Sequence, residues 1–381
     1  GQVQAVAPMA LALHAEGLVP TTLPSSQHAL SVAATAQLSG QLAGPDAALA
    51  LQASLNPVPT AGATPNKFPP QAMHAEVSAR LAPWQAQPIV RAQAQWQGLN
   101  LAVLWPQAPQ TQLSGEASVT PHGKAWRGQV KLRNALPGPW NQLRLPLDSL
   151  QADMSYDHAQ WALQSVRAMG AGGSLMGSGK FESGQWQGVA SLHQVKPGAI
   201  DTRLASSPVS GKLQATQSPS GIAFEAQLAS APDQAQAGRS RPALTSLSTL
   251  RLQSLQAKGV WARPQLTLSA LSIDAQDAHL EGSLAYHLNT QAVQGKLALN
   301  LPGMQGSLDG HLASQDGQGA LGIKVTDANL ASQWLKRWSP MADALQGLGL
   351  SGAALFDGRW QGGWQQQGRS LQITASLRAP Q

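Results

Sequence analysis

No cysteine occurs among the 381 residues, so the chain can carry neither a disulfide framework nor a thiolate metal site. Charge is scarce as well: Asp, Glu, Lys and Arg together make up 12%, about half of the ~25% usual in a soluble globular chain. Phe and Tyr number only four and two, although Trp reaches twelve. No run of ~18 apolar residues is present, so no membrane-spanning helix is encoded. The N-terminus also lacks the basic start and apolar stretch of a signal peptide. A start at Gly1 without Met is expected of a piece cut from a longer precursor, with any membrane anchor outside it.

What is present argues for a folded chain. Hydrophobic residues make up 43%, and with the twelve Trp they offer more burial than a disordered segment does. The formal net charge is +6, but the 25 basic residues are scattered singly. They come closest at Arg239 with Arg241 and at Lys336 with Arg337. Without a basic stripe, no nucleic-acid groove is expected.

The strongest pattern is a recurring strand with period-two alternation and a glycine near its start. It reads Leu38-Ser-Gly-Gln-Leu42, Ser210-Gly-Lys-Leu213, Glu281-Gly-Ser-Leu284, Gln294-Gly-Lys-Leu297, Gln305-Gly-Ser-Leu308 and Leu350-Ser-Gly-Ala-Ala-Leu355. Gly282, Gly295 and Gly306 recur at the length of one strand plus one turn, which predicts an antiparallel meander. Alternate side chains point to opposite faces. Leu280, Gly282, Leu284, Tyr286 and Leu288 therefore share a face, and Glu281, Ser283 and His287 the other. Val293, Leu297, Leu299 and Leu301, then Met304, Leu308 and Leu312, repeat the pattern, as do Ile222, Phe224, Ala226 and Leu228. About twenty such strands of ~33 Å are expected.

A Trp-x-Gly element recurs at Trp96, Trp126, Trp186 and Trp360, a degenerate repeat that points to stacked units. These Trp are expected to pack at an end of the sheet or against a helix. Long loops are expected over Asn56 to Pro70, Pro137 to Pro146 and Ser230 to Pro242. One segment breaks the strand pattern. After a cap at Asp327 or Asn329, Leu330, Trp334, Leu335 and Trp338 fall at helical spacing, and Pro340 closes the run. It predicts a short amphipathic helix near residues 328–338, lying on or plugging the sheet.

Catalytic signatures fail one by one. Residues 177–197, GSGKFESGQWQGVASLHQVKP, suggest a phosphate loop, but Gly179-Lys180 is followed by Phe181, and Ser174 stands where the leading glycine belongs. The segment reads as strand, turn, strand. His14-Ala-Glu16 and His74-Ala-Glu76 match half of a zinc deaminase site whose cysteines do not exist here. No His-Glu-x-x-His, Gly-x-Ser-x-Gly or calcium loop occurs, so no enzyme, metal or cofactor is expected. What remains is the apolar face: a closed core if covered, or, if open, a surface larger than soluble proteins usually expose, suited to acyl chains.

In its clearest part the chain resembles the TamB family, within the broader AsmA-like group of envelope proteins. The carrying stretches run from Tyr156 to Phe181, then Gly184-Gln-Trp-Gln-Gly188 leading to Val195-Lys-Pro-Gly-Ala-Ile200. They continue in Val325-Thr-Asp-Ala-Asn-Leu330, Leu348-Gly-Leu-Ser-Gly352 and Gly358-Arg-Trp-Gln-Gly362. Residues 110–381 carry the likeness; residues 1–109 carry it only vaguely. The resemblance implies an all-β fold, an elongated, curved antiparallel sheet (a β-taco or repeating β-groove) with an apolar concave side, continuous over residues 1–381. It further implies a periplasmic location in a Gram-negative bacterium, an inner-membrane anchor, and passive phospholipid transport between membranes. Acyl chains are then expected on Leu280, Leu284, Tyr286, Leu297, Leu299, Leu301, Leu308, Phe224 and Leu228. Contact with an outer-membrane β-barrel protein would fall to regions outside this chain. The rivals are a scaffold that pairs a free sheet edge with a client strand, and an adhesin that displays Trp96, Trp126 and Trp186 in a line.

Overall fold

The computed structural model describes residues 9–20, 29–41, 47–57, 73–104, 108–158, 160–204, 207–219, 221–230, 252–275, 277–337, 341, 345, 347, 349–364 and 371–379. The chain is all-β, as its alternation predicts, and divides into two compact units, residues 1–184 and 185–381. Each unit is a curved antiparallel sheet in which strands pair in sequence order.

The first unit holds β1 (Met9–Pro20), β2 (Ala29–Gln41), β3 (Ala48–Pro57), β4 (His74–Leu81), β5 (Ile89–Leu99), β6 (Leu113–His122), β7 (Ala125–Asn134), β8 (Ser149–Asp157), β9 (Gln160–Gly170) and β10 (Gly173–Glu182). A short helix, α1 (Leu101–Leu104), sits between β5 and β6. β5 pairs directly with β6, so the sheet runs through residue 110, where the sequence pattern only begins to be clear. Gly179 and Lys180 lie inside β10, and the turn residues Ser183 and Gly184 follow it, so this stretch is strand and turn as read. The Pro137 to Pro146 loop is held by Asn134, which is buried. Its Oδ1 accepts from the Gln112 and Leu136 amides, and its Nδ2 donates to the Leu147 carbonyl at 3.0 Å.

The second unit holds β11 (Gln185–Val195), β12 (Val209–Ser218), β13 (Gly221–Ser230), β14 (Leu252–Ala262), β15 (Gln265–Ala275), β16 (Ala278–His287), β17 (Ala292–Leu301), β18 (Met304–Leu312), β19 (Gly317–Val325), β20 (Ala354–Gln361) and β21 (Gln372–Arg378). α2 (Pro197–Ile200) follows β11, and α3 (Ala328–Leu335) follows β19. In a meander both connections fall on the same rim. Most of the expected Asn56–Pro70 and Ser230–Pro242 loops lies outside the described residues.

Neither unit has a second layer among the described residues. Each strand makes its substantial contacts only with the strands before and after it, unlike the usual two-layer domain core. Most of the few buried apolar side chains sit at or beside strand ends, as Val195, Val209 and Ala275 do, or in α3; Ala152 within β8 is the exception among the described residues.

The recurring glycines do not mark turns. Gly282 lies within β16 at φ 150, and a Cβ built there would fall on the carbonyl oxygen of Lys296 in β17. Only glycine allows that close an approach of neighbouring backbones. Gly211 and Gly259 stand against the Gln227 and Thr267 carbonyls in the same way. The 13- and 11-residue spacings arise because strand plus turn repeats.

The predicted helix forms, with Asp327 as its cap. The Asp327 carboxylate accepts from the amides of Asn329 and Leu330 at 2.9 and 3.0 Å. The Thr326 and Asp327 amides donate to Gly303 in the β17–β18 turn, and Arg337 reaches Asp277 in the β15–β16 turn at 4.0 Å. α3 therefore lies along the rim rather than on the sheet face. Its buried side is Ala331, Ser332 and Trp334, whereas Leu330 is 48% exposed. Leu330 keeps helical spacing with Trp334 but stands in the first turn, which Gly303 and the cap hold at the rim. Trp338 and Pro340 lie outside the described residues.

Candidate functional site: the apolar face of the second unit

The pairing registers extend the sequence alternation across the whole unit. One row crosses all eleven strands: Leu192, Gly211, Leu228, Leu255, Ile273, Leu280, Leu299, Gly306, Ile323, Phe356 and Leu377. Two residues along each strand, a middle row runs from Ala190 through Leu271, Gly282, Leu297, Leu308 and Leu321 to Ala375. A third passes through Phe224, Gly259, Leu268, Leu284, Gly295, Gly310, Gly319, Trp360 and Ile373. Every position in the first row is aliphatic, aromatic or glycine. At ~4.8 Å per strand, eleven strands carry it over roughly 48 Å.

The nine residues singled out from the sequence all fall on this face. Leu228, Leu280 and Leu299 stand in the first row, Leu297 and Leu308 in the middle one, and Phe224 and Leu284 in the third. Tyr286 pairs with Val293, and Leu301 with Met304, one step further toward either rim. Leu288, assigned to the same face, instead lies beyond the end of β16 in a turn and is 41% exposed.

Sequence reasoning missed β15. Leu266 and Leu268 have even numbers but Leu271 and Ile273 odd ones, and a bulge at Ser269–Ala270 absorbs the change so that all four stay on the apolar face. The shift from Leu-x-Leu to Leu-x-x-Leu was the available signal. No large side chain of the three rows is fully buried; Leu308 remains 37% exposed. Among the described residues the face is open.

The Trp-x-Gly elements have a packing cause. Trp96 on β5 pairs with Gly115 on β6, and its indole carbon Cζ2 lies 2.7 Å from where a Gly115 Cβ would be. Trp126 stands opposite Tyr156 near a strand end, and the Tyr156 ring lies tilted against Trp161 with centroids 4.6 Å apart. Trp96, Trp126 and Trp186 are half-buried, and Trp96 and Trp126 stand against neighbouring strands.

A hollow of about 870 Å³ lies on the polar face across β13 to β18. Short side chains (Ser269, Ala270, Ser272, Ala298, Ser307) floor it, and Glu225, Lys258, Glu281, Lys296 and Asp309 rim it. The β15 bulge sits in its floor and bends the strand there.

The polar face offers hydrogen bonds and ion pairs. Lys296 pairs with Asp309 at 2.8 Å. Ser254, Asp274 and His279 align across β14, β15 and β16, but the Ser254 hydroxyl donates to Asp274 at 2.6 Å rather than to the imidazole. His279 meets Asp274 at 2.6 Å and Glu281 at 3.5 Å. A nucleophile needs its base within reach, and here the carboxylate stands between them. Ser254 and then His279 hold the Asp274 carboxyl below its usual range, and Asp274 and then Glu281 hold the His279 imidazole above its own. Among the described residues no three His, Asp or Glu are grouped to hold a metal ion.

The fold and face thus define a single-layered, curved antiparallel sheet with one apolar surface. Comparison with family models, curated proteins and solved structures finds no match for the chain.

Proposed function

We propose that this protein is a non-enzymatic conduit for phospholipid acyl chains in the envelope of a Gram-negative bacterium, of the TamB or AsmA-like kind. The observation that carries this reading is the uninterrupted apolar row over eleven strands, left open on a sheet with no second layer. Its ~48 Å exceeds the ~15 Å that a lipid chain spans in one leaflet about threefold. Chains would lie along Leu280, Leu299 and Leu297 with head groups in water. Each buried methylene contributes about 0.8 kcal/mol, and a row without polar interruption offers no preferred stopping point, so chains slide. The periplasm, an inner-membrane anchor and an outer-membrane β-barrel partner met by regions outside these residues belong to the same proposal.

Native mass spectrometry of the chain purified from bacterial membranes tests it. Bound phospholipid is expected, lost on changing Leu297 and Leu299 to Asp while the circular dichroism of the sheet persists. A lipid-free wild type would turn the reading to a scaffold that pairs its free edge with client strands. A variant that unfolds would mean that the face is covered in solution, because an unpaired buried charge is strongly destabilising.

A further inference from the structure

The β7–β8 connection of the first unit presents apolar side chains where the fold gains nothing from them. Trp140 is 56% exposed and Leu143 66%, and Asn141 and Gln142 between them are exposed as well, so the four form a projecting tip. Leu143 also stands in the left-handed region, at φ 55 and ψ 36. Among the described non-glycine residues with positive φ it is the only large apolar one; the others are His, Ala, Ser, Gln and Asp. Asn or Gly would hold this turn with less strain. An apolar side chain that is both strained and in water points to a use outside the fold.

The tip is firmly backed. The Leu143 amide donates to the Trp140 carbonyl at 2.9 Å, the Gln110 amide to the Leu143 carbonyl at 2.8 Å, and the Gly138 amide to the Leu145 carbonyl at 3.2 Å. Pro137, Pro139 and Pro146 restrict the chain on either side. Little further freedom is therefore lost when the tip meets a partner. β7 and β8 pair with β6 and β9 as well as with each other, so the tip stands within the sheet and not at an edge.

Its chemistry suits a lipid bilayer. Residues 134–143 carry no charge, and neither do residues 99–112 of the β5–β6 connection, where Val103 is exposed. Charge is costly inside a membrane, whereas Trp favours its interface with water. A protein partner would need more surface. Trp140, Leu143 and Val103 together expose on the order of 300 Å², well short of the ~800 Å² that each partner buries in a standard interface.

We infer that the β7–β8 connection docks this protein on a lipid bilayer, with Trp140 and Leu143 inserted at the level of the head groups. This does not depend on the conduit reading: bound lipid is read by mass spectrometry and docking by flotation, and either can fail without the other. Flotation of the 381-residue chain with vesicles of phosphatidylcholine alone tests it, because that surface does not attract the chain's net positive charge. The wild type should bind. Trp140→Ser and Leu143→Asn should each weaken binding roughly fivefold or more. Both should keep the wild-type circular dichroism, and Leu143→Asn should melt no lower than the wild type, since Asn suits the left-handed turn. Trp84, 63% exposed in the β4–β5 turn on the opposite rim, supplies the control, and Trp84→Ser should leave binding as it was. A wild type that does not float, as expected if the tip instead meets a protein, would overturn the inference. So would tip variants that bind as the wild type does, a Trp84→Ser variant weakened as much as they are, or a Leu143→Asn variant that melts markedly lower.

Discussion

The indole of Trp360 on β20 occupies the space in which a Cβ on its register partner Gly319 would stand, and reaches on to 2.8 Å from the Cβ position of Gly310. Its Nε1–H donates to the His311 carbonyl at 3.2 Å, which fixes the ring across three strands. Gly319→Ala should therefore cost roughly 1–3 kcal/mol by forcing the ring aside. In a Trp360→Ala background the same change should cost clearly less, a coupling that native-state hydrogen exchange on β19 and β20 can measure. Equal costs in both backgrounds would mean that the two residues do not touch in solution.

Glycines of the same sequence motif should respond differently. Gly282→Ala puts a methyl on the Lys296 carbonyl and an alanine at φ 150, so a loss of about 1–3 kcal/mol is expected. At Gly306 the nearest atom to a Cβ is Leu299 Cβ at 3.6 Å, an ordinary contact. Gly306→Ala should stay within about 1 kcal/mol of the wild type. Hydrogen-exchange protection of β16 to β18 distinguishes the two, and similar losses would refute the close-approach account of the motif.

The Ser254, Asp274 and His279 row should make the β14–β16 region sensitive to pH. His279 has a raised pKa in the folded chain, so its contribution is complete below its ordinary 6.5 and fades as pH rises through the folded value. Asp274 has a lowered one, so its contribution is complete above 3.8 and fades as pH falls through the folded value. The row should hold best between these limits. An NMR titration of His279 reads this directly. Asp274→Asn should bring its midpoint down toward the ordinary value, and an unchanged midpoint would contradict the 2.6 Å contact.

Much of this was legible because one face of each strand is apolar and side chains alternate strictly. Numbering alone placed Leu280, Leu284, Leu297, Leu299 and Leu308 together, and the registers agree. It could not see the β15 bulge, since a parity change within one strand looks like a strand end. Nor could it place Leu288, because alternation carries no mark for where pairing stops and the turn begins. The helix was read from its cap and spacing, but which side it buries depends on the distant Gly303 and Asp277 turns. The hollow on the polar face depends on side-chain size beside a bulge, which an apolar-polar pattern does not record.

A sheet without a second layer behaves almost as a one-dimensional object, since each hairpin answers only to the hairpins beside it. Its length is then an adjustable dimension. Inserting a whole hairpin adds two strands, about 10 Å across the strands, and leaves every later connection on its original rim. Inserting a single strand would exchange the rims and carry α3 to the opposite side. Variants of this architecture should therefore differ in length by even numbers of strands.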